Sequence, residues 1–210
     1  LAQACYLVRG EGFNSASSFA AEAERQLQEL LKEKPDEPRA LLAVGLLFRN
    51  LRRYDEGVAA FERLAAVHPS WAATATNGKG WVLYVAKRFD EAVNAATQSI
   101  NARPFFGNVM LQVRLATTWL GDLDLAKSAL DRLPIADRQE DGGIAAALEV
   151  YWYRREGSQM LKVLNNVPRE WLESGGNLNS KGFWIGRANE MASNSAAAKM
   201  AWQKAVQLVD

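Results

Sequence analysis

A spacing of 34 or 35 residues recurs along most of the chain and constrains the fold more than any other feature. It connects a series of positions that are mostly small: Ala23, Gly57, Ala92, Ala126 and Met160. An apolar residue follows each of them four positions later: Leu27, Phe61, Ala96, Leu130 and Leu164. A period of this length predicts an array of stacked structural units rather than a single globule.

The stretch between Pro35 and Pro69 shows what one repeat contains. Residues 39–49 are apolar between two arginines, which predicts a helix that is buried between neighbours. From Asp55 to Val67 the apolar residues recur at helical spacing. Pro69 ends this second helix, because a proline cannot continue it. Each repeat is therefore predicted to be two helices joined by a short turn.

With these positions assigned, the chain resembles a tetratricopeptide repeat array, whose pattern is W-x2-L-G-x2-Y, then A-x3-F, then P. In the second repeat those slots hold Leu41, Val44, Gly45, Phe48, Gly57, Phe61 and Pro69. In the third, after one inserted residue, they hold Thr76, Lys79, Gly80, Leu83, Ala92, Ala96 and Pro104. The first repeat fits more loosely, and the last fits through Ile185, Gly186, Ala198, Trp202 and Ala205. The fourth and fifth depart most, since Leu133-Pro134 and Val167-Pro168 shorten their second helices.

The resemblance implies an all-α fold, a right-handed α-solenoid of about six helix-turn-helix repeats in a single domain over residues 1–210. The repeats are expected near residues 4–37, 38–71, 73–106, 107–136, 141–168 and 179–210. Within the fourth repeat the two helices are predicted at Gly107–Leu120 and Leu123–Leu133. Residues 169–178 are interpreted as an irregular insert, because they contain Gly175-Gly176-Asn177.

Composition narrows the possible functions. A net charge of +1 gives no reason to expect a nucleic-acid partner, which requires a basic stripe. No apolar run approaches the roughly 20 residues of a membrane span, so we expect a soluble segment without membrane insertion. A cytoplasmic location is slightly favoured over a periplasmic one, and a bacterial origin is expected. The chain starts at Leu1 inside a helical pattern, and we expect it to be part of a longer protein.

Residues suited to catalysis or metal binding are scarce. His68 is the only histidine, so a zinc site of the usual His/Cys kind cannot be assembled. Carboxylates recur at one place in two repeats, as Asp55 and Glu56 and as Asp90 and Glu91. This recurrence is typical of helix N-termini, where acidic residues are favoured, rather than of an acid–base pair. We therefore expect no enzymatic activity, no cofactor and no metal.

The resemblance also implies where a ligand would bind, because the first helices of successive repeats line the concave face in this family. The expected groove consists of Arg49, Asn50, Asn77, Trp81, Tyr84, Asn108, Gln112, Trp119, Glu149, Trp152, Tyr153, Phe183, Trp184 and Arg187. Tryptophan, tyrosine and arginine dominate binding hot spots. The same aromatic residues are equally suited to filling a tight superhelix, and the sequence leaves both interpretations open.

Two functional hypotheses follow. The first is a scaffold that binds a protein or peptide partner of unknown identity in the concave groove. The alternative is a structural or oligomerisation segment of a larger multidomain protein, such as a signalling protein, with self-association through the terminal helices. The lysine-rich clamp by which some members hold acidic C-termini is not expected, because the matching early positions hold Val8, Gly12, Leu42 and Leu46.

Overall fold

The computed structural model describes residues 16–174 and 177–207, and only the backbone of residues 16–19, 173, 174 and 177–179. The first helix of the first predicted repeat lies outside the described residues. The chain forms two compact units, which are unit 1, Leu1–Arg103, and unit 2, Pro104–Asp210. The expectation of one domain over residues 1–210 stays a prediction.

Unit 1 is a stack of helices in which each helix contacts the next along the chain. The helices are α1 (Ala16–Glu33), α2 (Pro38–Asn50), α3 (Tyr54–Val67), α4 (Ala72–Val85) and α5 (Phe89–Ala102), and a 3₁₀ turn at Pro69–Trp71 precedes α4. The first turns of α3 and α5 carry the recurring acidic pairs, which complement the positive end of the helix dipole. The first helices of the second and third repeats, α2 and α4, also contact each other.

The core of unit 1 is centred on Phe61, whose side chain is 1% exposed. Its ring lies so close to Gly45 and Gly78 that a Cβ atom on either glycine would come within 2.6 Å and 2.3 Å of ring carbons. Glycine at both positions therefore lets α2 and α4 approach an aromatic ring donated by α3. Leu41, Leu64, Ala75 and Val82 belong to the same buried cluster.

Unit 2 contains shorter and less regular elements. They are α6 (Phe106–Leu115), a π-helical segment (Ala116–Leu120), α7 (Leu123–Asp131), α8 (Ile135–Arg138), α9 (Asp141–Tyr153), α10 (Gly157–Asn165), β1 (Trp171–Ser174), β2 (Asn177–Ser180), α11 (Lys181–Met191) and α12 (Ser195–Gln207). Helix α9 contacts α6, α7, α8, α10 and β1 and is the central element of the unit. Its core includes Ile144, Leu148, Met160 and Leu164.

The fourth repeat departs from the single helix predicted at Gly107–Leu120. Helix α6 ends at Leu115 and continues as a π-helical segment, in which the backbone bonds span five residues instead of four. The N–H of Asp122 consequently reaches back six residues, to the carbonyl of Ala116 at 2.9 Å. One additional residue is thereby accommodated before the turn.

Strands at Trp171–Ser174 and Asn177–Ser180 replace the irregular structure predicted at residues 169–178, so for these residues the prediction is wrong. Strands β1 and β2 pair in an antiparallel hairpin, with Trp171 opposite Ser180 and Ser174 opposite Asn177. The sequence signal was Gly175-Gly176, since two glycines between two short runs indicate a hairpin turn. Leu172 of β1 is 3% exposed and packs into the core of unit 2, which anchors the hairpin.

The residues that recur at the 34- or 35-residue spacing are buried in the structure. All five positions that define the period are buried, and so are all five apolar residues that follow them. Gly57, Ala92 and Ala126 therefore face the packed interior. These positions sit on the second helices of their repeats, where small side chains allow close contact with neighbouring helices.

Candidate functional site

Each described helix pair turns at one residue with positive φ. These residues are Arg52, Lys87, Gly121, Arg155 and Ser193, with φ between 58° and 67°. The next residue donates its backbone N–H to a carbonyl of the preceding helix, as Arg53 does to Phe48 at 2.9 Å. This is the Schellman arrangement, which ends a helix at a left-handed residue. The five turns give a common origin from which positions on the first helices are counted.

An open cavity of about 340 Å³ lies in unit 2. It is lined by the first helices of three successive repeats, α6, α9 and α11, and by strand β1. The lining residues are Met110, Arg114, Ala145, Leu148, Glu149, Trp152, Leu172, Phe183, Trp184 and Arg187. Five of the fourteen predicted groove residues are among them: Glu149, Trp152, Phe183, Trp184 and Arg187.

Three charged side chains of this cavity occupy equivalent positions on their helices. Glu149 lies six residues before the turn residue Arg155, and Arg187 lies six residues before Ser193. Arg114 lies seven residues before Gly121, because the π-helical segment adds one residue. Each of α6, α9 and α11 therefore contributes one charged side chain to the cavity.

The aromatic side chains hold Arg187 in place. Its guanidinium lies over the ring of Trp152, 4.4 Å from the centroid, and 5.7 Å from the centroid of Phe183. Phe183 in turn contacts Trp184 edge to face, with ring centroids 5.5 Å apart. A cation over an indole face is attracted by the ring quadrupole. The α9 and α11 walls are thus joined by a stack of rings and one cation.

Glu149 is the most enclosed charged group in the cavity. Burial raises the pKa of Glu149, and the nearby Arg114 guanidinium and Thr117 side chain act in the opposite direction. The closest approach between Arg114 and Glu149 is 3.6 Å, with side-chain exposures of 41% and 20%. This distance is longer than the 2.7–2.9 Å expected of a strong charge-assisted hydrogen bond. The carboxylate is therefore only partly compensated.

A model of the tetratricopeptide repeat family matches residues 1–69 and residues 45–104. The chain belongs to the tetratricopeptide repeat family. Both matches lie in unit 1, except that the second extends by one residue to Pro104, where unit 2 begins. Membership of this family supports a general role as a protein-interaction scaffold. No curated protein sequence matches the chain.

Solved structures extend the tetratricopeptide likeness over almost the whole chain. The chain is similar to PilW, described as a widely conserved type IV pilus biogenesis factor, with a TM-score of 0.68 and 15% identity over 96% of this chain and 90% of that one. It is also similar to a tetratricopeptide repeat protein from Parabacteroides merdae, with a TM-score of 0.63 and 12% identity over 99% and 80% of the two chains. The predicted all-α repeat fold is confirmed.

The tetratricopeptide first helices of unit 1 carry five further predicted residues. Trp81 and Tyr84 of α4 contact edge to face with ring centroids 5.7 Å apart, and Asn77 of the same helix is partly buried. Asn77 Oδ1 is buried and accepts no hydrogen bond from the described residues. On α2, burial lowers the pKa of Arg49, and its guanidinium donates to the Asn50 side chain at 3.3 Å.

Four predicted residues of unit 2 do not line the cavity. Asn108 is fully buried and accepts a hydrogen bond from the backbone N–H of Phe105 at 2.9 Å, so it fixes the start of α6. Gln112 is also buried, whereas Trp119 and Tyr153 are exposed elsewhere on the surface. Asn108 and Gln112 are therefore left out of the proposed binding surface. Their selection followed a register in α6 that differs from the observed one.

Several cavity residues were missed by sequence reasoning. Met110 and Ala145 were not predicted, although they lie four residues before Arg114 and Glu149, as the predicted Phe183 lies four residues before Arg187. Arg114 and Met110 can be found by counting seven and eleven residues back from the turn residue Gly121, provided that the residue added by the π-helical segment is included. No local signal in the sequence identified Leu172, because the hairpin brings it to the cavity.

The structure also bears on membrane and metal chemistry. No helix of residues 16–174 and 177–207 combines the length and apolarity that a membrane crossing requires. Within the same residues, no three metal-binding side chains of His, Cys, Asp or Glu are grouped together.

Proposed function

We propose that the chain is a non-catalytic scaffold that binds an extended peptide, or an extended segment of a protein, in the unit 2 cavity. The observation that carries the proposal is the convergence of three aromatic rings and two arginines, donated by α6, α9 and α11, on one open cavity. Tryptophan and arginine are enriched among the residues that supply most of the binding energy at interfaces.

The size of the cavity favours a peptide over a folded domain surface. A volume of about 340 Å³ is near the lower end of the range for small-ligand pockets. It suits one or two side chains of an extended segment, with the backbone of the segment running across the opening. The mixed apolar and charged lining is typical of such an anchoring site.

The rings are ordered before a ligand arrives. Trp152 is covered by Arg187, and Phe183 rests against Trp184. Side chains already fixed by their neighbours lose little further freedom on binding, which lowers the entropic cost of association. A second contact surface for the same class of partner is proposed in unit 1. It consists of Arg49, Asn50, Asn77, Trp81 and Tyr84.

The test compares two matched tryptophan substitutions. The full chain is used to select binders from a random peptide library, and the affinities of the selected peptides are measured by calorimetry. Trp152→Ala is expected to cost about 2 kcal/mol or more of binding free energy, as for a central hot-spot residue. Trp119→Ala is the control, because Trp119 is 51% exposed in the same unit and does not line the cavity.

Circular dichroism establishes that both variants are folded. Equal affinity for wild type and Trp152→Ala contradicts the proposal, as does an equal loss in Trp119→Ala, which would locate binding outside the cavity. Failure to select any peptide contradicts it as well.

The second candidate function is self-association through α12. It is favoured by Met200 and Val206, which are 65% and 62% exposed on that helix. Sedimentation of the wild-type chain over a range of concentrations distinguishes this function from peptide binding, since self-association alone predicts a mass that rises with concentration in the absence of peptide.

A further inference from the structure

Arg187 of the cavity is paired more loosely than the arginines at the turns of the helix pairs. Arg53, Arg88 and Arg154 reach acidic residues on the preceding second helix: Glu24, Asp55 and Asp124, at 2.7–2.8 Å. Arg187, by contrast, approaches Glu190 at 3.6 Å. The turn arginines hold neighbouring repeats together, whereas Arg187 faces the cavity without a close ion pair among the described residues.

Stacking leaves the guanidinium of Arg187 able to bind a carboxylate. The face of the group is occupied by the Trp152 ring, 4.4 Å away. The N–H donors of a guanidinium lie in its plane and form a fork that matches a carboxylate, so stacking on an aromatic face does not block them. The Arg187 side chain is 40% exposed, which gives a ligand access to those donors.

The charges around the cavity favour an anionic partner over a cationic one. Arg114 and Arg187 line the cavity with exposures of about 40%, whereas Glu149 is only 20% exposed. Burial raises the pKa of Glu149, and Arg114 lies beside it, so its charge is the most shielded of the three. Glu190, the other acidic group near Arg187, does not line the cavity. A lysine side chain entering here would meet two arginines.

Apolar surface surrounds these charges. Trp152, Phe183, Trp184 and Leu172 line the cavity together with Met110 and Leu148. A carboxylate bound to Arg187 would therefore have rings and aliphatic groups as its immediate neighbours. The residue beside it in a peptide would need an aromatic or large apolar side chain to fill that space.

On the basis of the function proposed above, we propose that the cavity binds an acidic–aromatic peptide segment, in which an aspartate or glutamate pairs with Arg187 and an adjacent aromatic or large apolar side chain occupies the cavity. The carboxylate accepts hydrogen bonds from the guanidinium in its plane, while the Trp152 ring remains stacked on its face. The glutamate–arginine contact between α9 and α6 is retained.

The experiment is a double-mutant cycle between protein and peptide. The probe is a peptide with a central Asp-Phe pair in a Gly/Ser background, and its partner has Asn in place of Asp. Removing the charge on either side is expected to weaken binding at least about tenfold, since a hydrogen bond to a charged group contributes more than one between neutral groups. Once Arg187→Gln has been made, the change from Asp to Asn in the peptide is expected to have no further effect.

Arg132→Gln is the matched control, because Arg132 is an exposed arginine of the same unit that does not line the cavity. It is expected to leave the preference for the Asp peptide unchanged. The change from Asp to Asn is made in the ligand, so it tests the pairing in the wild-type chain even if Arg187→Gln affects folding.

The outcomes separate this inference from the proposed function. Selection of lysine-containing or uncharged peptides whose binding is lost in Trp152→Ala would support the groove and overturn the acidic–aromatic preference. An Asp preference that persists in folded Arg187→Gln would overturn the assignment to Arg187. The absence of any peptide binding would overturn the proposed function and this inference together.

Discussion

In unit 1 a large ring faces two glycines, whereas in the middle of unit 2 the equivalent positions hold two leucines that belong to one buried cluster. Gly45 lies seven residues before its turn residue and Phe61 nine residues after it. The equivalent residues of the fifth repeat are Leu148 and Leu164, which are both fully buried. In the last repeat Gly186 faces Trp202, whose ring occupies the space where a Cβ would be.

The comparison shows that the two helices of a pair share one volume between these positions. In the second and last repeats the glycine on the first helix is needed because the second helix carries an aromatic ring, and packing density in a core leaves no room for both to be large. The departures of the fifth repeat from the family pattern are therefore compensated within the pair, and they do not indicate a lost repeat.

Unit 2 also differs in the length of its second helices. Helices α3 and α5 have 14 residues, whereas α7 and α10 have 9. The apolar surface beyond the end of α10 is covered by the hairpin, through Leu172. In unit 1 the second helices are long, whereas in unit 2 a strand pair follows the shorter helix α10. Strand β1 of this pair also lines the cavity through Leu172.

The largest expected effect is the loss of stability when the Phe61 ring is removed. Phe61→Ala leaves a cavity between two glycines that cannot fill it, and about 3–5 kcal/mol of unfolding free energy should be lost. Leu164→Ala is the counterpart in unit 2 and should cost about 2–5 kcal/mol. Amide hydrogen exchange measures each effect in its own unit. A loss below about 1 kcal/mol for Phe61→Ala would show that the Gly45–Phe61–Gly78 contact does not stabilise unit 1.

A smaller loss of stability is expected when Gly45 is replaced by a larger residue that fills the space beside the Phe61 ring. The Cβ of Gly45→Ala would come within 2.6 Å of the Phe61 ring, so overpacking should cost about 1–3 kcal/mol. The cost should fall in a Phe61→Leu background, which resembles the leucine pair of unit 2. Urea denaturation of the two single variants and the double variant measures the coupling.

Gly121→Ala is the control for this second prediction. Gly121 has a φ of 67° and no atom within 4 Å of an added Cβ, so only backbone strain of about 1–2 kcal/mol is expected. Its cost should not depend on residue 61. Equal costs of Gly45→Ala in both backgrounds would contradict the shared-volume interpretation.

The smallest expected effect concerns the partly buried carboxylate of Glu149 in unit 2. It has no counterpart on α2 or α4, where the equivalent positions hold Leu46 and Trp81. Because burial raises the pKa of Glu149, folding favours its protonated form. The associated stability is fully present below the unfolded pKa, near 4.5, and is lost as the pH rises through the folded pKa.

Glu149→Gln should therefore be more stable than wild type at pH 7, and the difference should diminish on acidification towards pH 4. Denaturation curves at several pH values measure it, with Glu140→Gln as an exposed control on the residue before α9. A variant less stable than wild type at pH 7 would show that the contact with Arg114 outweighs the burial.

The sequence by itself determined the helix pairs and their internal packing. The positions of Ala92 and Ala126, and the apolar residues after them, could be read directly, because contacts within and between successive repeats recur at a fixed separation along the chain. Pro134 and Pro168 likewise identified the short second helices. Five cavity residues were predicted for the same reason, since they lie on first helices at positions that the repeat defines.

Only the tertiary structure decided which side chains meet in the cavity. The π-helical segment adds one residue before Gly121, so Arg114 rather than Leu115 occupies the position equivalent to Glu149, and nothing in the period records such a shift. The hairpin covers the end of a shortened helix and brings Leu172 to the cavity. A repeat pattern specifies contacts that recur, whereas these two features occur once and depend on how the space between already packed helices is filled.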